Sequence, residues 1–364
     1  MNIAFLVNSV GFGGASKMAT FVANSLGNRG HKVCLISLMV GDLEIHQKIN
    51  SNIHIHQITQ KSQYTIIQYA IWLKHIIRIL RKEKSEVVIS FVSTPNFINA
   101  ILNKITNIPS IISERGNPFE AYKDNKLINK LIVYSINHST GAVFQTKEAA
   151  QFYSKALQKR SCIIPNPIFI NENIPEFDYN NMSHTIVFLG RFDNYQKRLD
   201  VLLESFKKFH NSHPDYKLIL YGTGPDQYII ENFCKDSKLD FCIEIKGLST
   251  SSMHDIAKEG IFVITSDFEG ISNSLLEALA IGMPVVSTDH APGGGRLLIQ
   301  DHVNGILTPT GNPDAVAIAM SEFADNPELC KQCGNEAKKV LIRFAPERII
   351  DTWENSIMNI TNAK

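Results

Sequence analysis

An α/β fold with two doubly wound parallel sheets is predicted by three features of this 364-residue chain. Short, continuous apolar runs recur along it. Amphipathic helical patterns separate them, which implies parallel strands covered on both faces. One stretch rich in Pro and Asn divides the runs into two series. The apolar share of 44% is enough for globular cores and argues against disorder.

The strand readings in the first series are "NIAFLVN", "KVCLISL", "EVVISFV", "PSIIS" and "TGAVFQT". Those in the second are "TIVFLG", "YKLILYG", "FCIEIKG", "IFVITS" and "PVVSTD". Between them lies "PNPIFINENIPEFDYNNMSH", which has no periodicity. This sets a first domain at 1–170, a linker at 171–183, a second domain at 184–345 and a final helix at 346–364 that begins at Pro346. Two such domains would enclose a cleft, with ligands beyond the carboxyl ends of the strands.

Composition narrows the function. The chain has 36 basic and 35 acidic residues, a balance that gives no argument for nucleic acid. The start, "MNIAFLVNSV", runs straight into a strand without the features of a signal peptide. No apolar run is long enough to cross a bilayer. A cytoplasmic protein is expected, with room for peripheral attachment to the inner face of the cytoplasmic membrane. Cys330 and Cys333 form a C-x-x-C, but the segment reads as a helix with no second ligand pair nearby, so they read as ordinary helix residues.

The polar signals lie in the loops after strands. "RFDNYQKRLD" places Arg191 and Lys197 six positions apart, near the start of a helix. Cations there oppose the helix dipole, so an anionic ligand would explain them; a solvated basic turn is the other reading. In "YGTGP", Gly222 and Gly224 suit either close backbone approach to a ligand or a plain tight turn. In "EGISNSLLEA", Ser272 reads as an N-cap, Asn273 as the helix start and Gly282 as the C-terminal stop. The amides of Gly270, Ile271, Ser272 and Asn273 would suit phosphate oxygens. Glu269 and Glu277 on either side could each accept from vicinal hydroxyls. A nucleotide diphosphate sugar has this layout. Taken singly, each glutamate could equally be a solvated acid.

In that order on successive strand ends, "GRFDNYQK", "YGTGP" and "EGISNSLLEALAIGMPVVSTD" resemble the retaining nucleotide-sugar glycosyltransferases of family four, which have the GT-B fold. The likeness is dense in the second half and loose in the first. It implies that Arg191 and Lys197 hold the donor diphosphate, that Glu269 meets the transferred sugar and Glu277 the ribose, and that Lys246, Gly247 and Leu248 contact the base. "GFGGASK", with Gly13 and Gly14, resembles the glycine loop that faces the diphosphate. "SERGNP" looks like a segment of members that elongate polyprenyl-diphosphate-linked oligosaccharides, and makes Glu114, Arg115 and Asn117 acceptor-side candidates. Two departures stand out. The histidine that many relatives place in that region is missing, and Arg296 replaces an acid in "APGGGRLLIQ". The C-terminal helix is implied to cross back onto the first domain.

The implied reaction moves a hexose or N-acetylhexosamine from a UDP-sugar, used as substrate, to a glycan or polyprenyl-diphosphate-linked acceptor. Same-face attack is implied, with the departing phosphate taking the acceptor proton. No Asp-x-Asp of the metal-dependent kind sits at a strand end, so neither metal nor cofactor is expected. The alternatives are a non-catalytic GT-B subunit partnering an active transferase, and a nucleotide-sugar epimerase on the same fold. Residues 63–84 read as a basic amphipathic helix with Ile66, Ile67, Ala70, Ile71, Ile77 and Leu80 near one another. With Lys123, Lys126 and Lys130, it could dock on an anionic membrane or simply pack with a solvated face.

Overall fold

A computed structural model describes residues 1–10, 14–39, 49–124, 126–169, 174–249 and 251–362. The chain forms two compact units: Met1–Asn166 together with Glu347–Lys364, and Pro167–Pro346.

In the first unit the strands are β1 (Asn2–Val7), β2 (Lys32–Ser37), β3 (His54–Gln57), β4 (Val87–Phe91), β5 (Ser110–Glu114), β6 (Gly141–Phe144) and β7 (Ser161–Ile163). They lie in the order β3-β2-β1-β4-β5-β6-β7, all parallel. The second unit holds β8 (Thr185–Leu189), β9 (Lys217–Tyr221), β10 (Ile243–Gly247), β11 (Ile261–Ile264), β12 (Val285–Thr288) and β13 (Ile306–Thr308). Their order is β10-β9-β8-β11-β12-β13, again parallel. Each sheet is doubly wound, as expected. The direction of winding reverses between β1 and β4 in one sheet and between β8 and β11 in the other. In open α/β sheets such switch points hold the ligand, because the loops leaving the two strands splay apart there.

The apolar runs become strands because both faces of each sheet are covered. Ile3 to Val7, Val87 to Phe91 and Ile261 to Ile264 are buried at every position. Three strands were not anticipated. β3, β7 and β13 are only three or four residues long and lie at sheet edges, where His54 and Ile55 are exposed. Edge strands need no continuous apolar run, so they leave no such signal.

The helix Pro346–Asn362 belongs to the first unit. It buries Ile349, Ile350, Trp353, Ile357 and Ile360, a stripe at helical spacing. Trp353 is fully buried and stacks on Phe91 at 5.7 Å. Arg29 ties the helix further through 2.6 Å ion pairs to Asp351 and Glu354.

The basic helix forms over Thr65–Lys82, and its apolar residues do not share one environment. Ile76 and Leu80 are buried, whereas Ile66, Ile67 and Ala70 are exposed with Lys74, Arg78, Arg81 and Lys82. The apolar residues of its first turns therefore lie outside the core. Cys330 and Cys333 are buried thiols on the helix Pro327–Ala337. Burial pushes the Cys330 thiol up to about 12, which suits a packing role.

Candidate active site

The loops leaving β8 and β11 meet at the switch point of the second sheet. After β8 a one-turn helix, Asn194–Lys197, is capped by the Asp193 side chain. Lys197 therefore closes a short helix, just before the longer one starting at Leu199, and does not sit at that helix's first turn. Arg198 follows in the left-handed region, at φ 52°. Its guanidinium is held by Asp200 at 2.9 Å and Asp267 at 2.6 Å, and these carboxylates keep it raised.

After β11 the chain is pinned to the same place. Thr265 Oγ1 donates to the carbonyls of Lys197 and Arg198, and the Asp267 amide donates to the Gln196 carbonyl at 3.0 Å. These bonds bring Lys197 Nζ onto Glu269 Oε1. Both side chains are nearly buried, and Ser266 Oγ donates to the same oxygen at 2.6 Å. Glu269 Oε2 has no partner among the described residues. Burial alone would raise this carboxyl; Lys197 and Ser266 outweigh burial and hold it below its ordinary value. The group is thus an ionised carboxylate with one oxygen held and one left over.

The next helix, Asn273–Ile281, is built as its sequence implies. Ser272 caps it by accepting from the Leu275 amide, and Gly282 ends it at φ 84°. Gly270 and Ile271 lie in the turn before it, and Glu277 is half-buried one turn in. Arg191 is exposed in the loop after β8 and has no ion pair among the described residues.

Gly222 and Gly224 have a packing reason to be glycine. A Cβ at Gly222 would stand 1.9 Å from the Gly190 carbonyl oxygen, and one at Gly224 2.2 Å from that of Phe192. Their close approach is to the loop that carries Arg191. Lys246 is exposed and paired with Glu244 at 2.5 Å, Gly247 turns at φ 74°, and Leu248 is 75% exposed. Arg296, which stands where an acid was expected, donates two bonds to Asp289 at 2.8 and 2.7 Å.

In the first unit, Gly14 opens the helix Gly14–Asn28, while Gly13 lies outside the described residues. Glu114 is buried at the end of β5 and accepts from Tyr153 Oη and the Arg115 amide, each at 3.1 Å. Arg115 turns its guanidinium away. It donates to Ser113 Oγ at 2.9 Å and the Ile164 carbonyl at 3.0 Å, and lies over the rings of Phe91 and Trp353. Asn117 caps a short helix by accepting from the Phe119 amide at 3.0 Å.

Two residues at the second-unit site were not anticipated. Arg198 is the neighbour of Lys197, and its ion pairs to Asp200 and Asp267 could not be read from spacing. His290 stands two residues after a strand and shortly before a glycine run, which was the available signal.

Two family models match the chain: "Glycosyl transferases group 1" over residues 169–340 and "Glycosyl transferase 4-like" over residues 3–146. A Campylobacter jejuni relative is 25% identical over 370 residues, the whole of both chains. It is named GalNAc-alpha-(1->4)-GalNAc-alpha-(1->3)-diNAcBac-PP-undecaprenol alpha-1,4-N-acetyl-D-galactosaminyltransferase. An uncharacterized glycosyltransferase of Haemophilus influenzae is 22% identical, covering 96% of this chain and 98% of its own. In structure, HepE of Anabaena in complex with UDP matches with a TM-score of 0.81 at 16% identity, over 99% of this chain and 100% of that one. Sucrose-phosphate synthase from Thermosynechococcus elongatus matches with a TM-score of 0.83 at 14% identity, over both chains entirely. The likeness extends over both doubly wound sheets, and the chain belongs to the family four glycosyltransferases: a retaining enzyme of the GT-B fold that transfers a sugar from a nucleotide-sugar donor.

Proposed function

We propose that the donor is a UDP-sugar carrying a hexose or N-acetylhexosamine. The acceptor is a hydroxyl of a glycan or polyprenyl-diphosphate-linked oligosaccharide, in assembly of a surface polysaccharide or glycoprotein glycan. The observation that carries this reading is the nearly buried Lys197–Glu269 pair at the switch point. It puts one cation and one hydroxyl-accepting carboxylate where a sugar diphosphate would lie. The UDP complex of HepE and the undecaprenol-linked substrate in the Campylobacter name support the same direction.

In this reading Lys197 and exposed Arg191 take the diphosphate, with the turn Gly270 to Asn273 offering amides. Glu269 Oε2 accepts from the sugar and Glu277 from the ribose. Lys246, Gly247 and Leu248 border the base, and Gly222 and Gly224 shape the Arg191 loop. As the glycosidic bond breaks, negative charge collects on the leaving phosphate, and Lys197 stabilises it in place of a divalent ion. The acceptor attacks from the same face and passes its proton to that phosphate. Glu114 and Asn117 are framework for the acceptor side, with Arg115 holding β5 to the C-terminal helix.

A membrane-bound acceptor is supported by the first unit's surface. Leu127, Ile128, Leu131 and Tyr134 are exposed along the helix Leu127–Asn137, beside Lys126 and Lys130. Among the described residues no helix is long and apolar enough to cross a membrane. Attachment would therefore be peripheral, by apolar insertion and attraction to anionic headgroups. Flotation with anionic liposomes at low salt is expected to carry the protein up; protein left at the bottom would refute the attachment. The reaction itself is tested by a panel of nucleotide sugars and the anomeric configuration of the product. Transfer from a UDP-sugar with retention is expected. Epimerisation of the donor without transfer would support the rival reading.

A further inference from the structure

The loop after β12 holds a group that the donor grip leaves unused. His290 is 0% exposed, and neither Nδ1 nor Nε2 has a hydrogen-bond partner among the described residues. Buried polar groups are usually paired, and an orphan is costly. The ring is held where it is from both sides. The Ala291 amide donates to the Asp267 carbonyl at 3.1 Å, and the Glu269 amide to the Ala291 carbonyl at 2.7 Å. Phe268 and Ala291 form a parallel bridge, so residues 289–291 run alongside 267–269. On the other side, a Cβ at Gly294 would stand 2.8 Å from His290 Cε1 and 1.9 Å from the Gly270 carbonyl oxygen. The glycine run thus makes room for both this ring and the Glu269 loop.

Three charged groups act on the ring: Glu269, Lys197 and Asp289. Asp289 is occupied by Arg296, and Lys197 has no acceptor to offer. Of these charged groups Glu269 is the acceptor that remains; the Ala291 carbonyl beside the ring already accepts from the Glu269 amide. Its Oε1 is shared by Lys197 and Ser266. When a diphosphate draws Lys197 away, a buried carboxylate would be left with the Ser266 hydroxyl alone, a costly arrangement.

We propose that His290 is a positioning residue for Glu269: a neutral imidazole whose N–H holds the carboxylate once the donor diphosphate has taken Lys197. The inference rests on the reading that Lys197 grips the diphosphate. Burial lowers the imidazole, the pull of Glu269 opposes this and the push of Lys197 reinforces it, so the ring stays neutral with one N–H to donate. Glu269 then keeps its charge and its aim toward the sugar hydroxyls while Lys197 attends to the leaving group.

The test compares His290→Leu, His290→Asn and His290→Gln. The two amides place an N–H near the positions of Nδ1 and Nε2. For His290→Leu, kcat/KM for the nucleotide sugar is expected to fall about tenfold, the loss of one hydrogen bond to a charged group. Its acid limb should move to higher pH, and the Kd for UDP should weaken as well, because the diphosphate of UDP also draws Lys197 from Glu269. One of the two amide variants should recover most of the rate and the acid limb. Unchanged sugar kinetics in His290→Leu, or no recovery in either amide, would overturn the proposal. Should the variants not fold, 15N-histidine NMR of the unaltered enzyme decides. One imidazole must titrate below the ordinary histidine range and shift on saturation with UDP, against the ordinary titration of exposed histidines; no such signal contradicts the proposal. Lys197→Ala separates the two levels. If it binds UDP normally, the donor-grip reading fails; if it loses UDP while His290→Leu is normal, only the role of His290 fails.

Discussion

Each unit ends a strand or its loop with a buried glutamate near a cation, and the two pairs behave in opposite ways. In the second unit Lys197 lies on Glu269 and holds the carboxyl below its ordinary value. In the first, Arg115 points its guanidinium at Ser113, the Ile164 carbonyl and two aromatic rings, and burial raises Glu114. The lysine at the switch point binds one carboxylate oxygen, and another anion can replace that oxygen. The arginine is spread over backbone, hydroxyl and rings, which no ligand replaces at once. The first arrangement suits a site and the second a frame.

Breaking the Lys197 side should have the largest effect. Lys197→Ala is expected to lower turnover at least a hundredfold, the scale of losing one donor to a developing anion. It also takes the cation from buried Glu269 and leaves it only neutral donors, so stability should fall by about 3–5 kcal/mol. Lys197→Met with Glu269→Gln removes both charges. It should recover most of the melting temperature and none of the rate, which separates catalysis from stability.

On the frame side, Trp353→Ala should cost about 3–5 kcal/mol by opening a cavity between the C-terminal helix and Phe91. Denaturant melts followed by circular dichroism measure this, and the UDP Kd of the folded fraction should be unchanged. Arg115→Met keeps part of the stacking and loses the hydrogen bonds, so a smaller loss of about 1–3 kcal/mol is expected. A donor defect in Arg115→Met with full stability would move that residue from frame to site.

The smallest effect is in pH dependence, and its sign differs between the pairs. Glu269, lowered in the fold, contributes stability above its unfolded value of about 4.3 that is lost as pH falls through the folded value. Glu114, raised in the fold, contributes stability below that value that is lost as pH rises through the folded one. Melting curves across pH should therefore show Glu269→Gln weakest near neutrality and Glu114→Gln unaffected or improved there. The same sign for both would remove the contrast.

The sequence made the central strands and the Ser272-to-Gly282 helix legible because apolar continuity, an N-capping hydroxyl and a C-terminal glycine act locally. By order along the chain it put Arg191 and Lys197 in the loop after β8 and Glu269 in the loop after β11. It could not show that Lys197 and Glu269, 72 positions apart, form one pair. Nor could it show that Gly222 and Gly224 are small for the sake of a neighbouring loop. Long-range packing decides both. The exposure of Ile66, Ile67 and Ala70 was hidden for the same reason: helical spacing reports a face, and the tertiary fold decides what covers it.

Calorimetry of UDP binding with chelator present tests the central claim most directly. The enzyme as it stands should bind UDP equally with and without chelator, and Lys197→Ala should lose that binding. Binding that vanishes with chelator and returns with magnesium, or survives intact in Lys197→Ala, would contradict it.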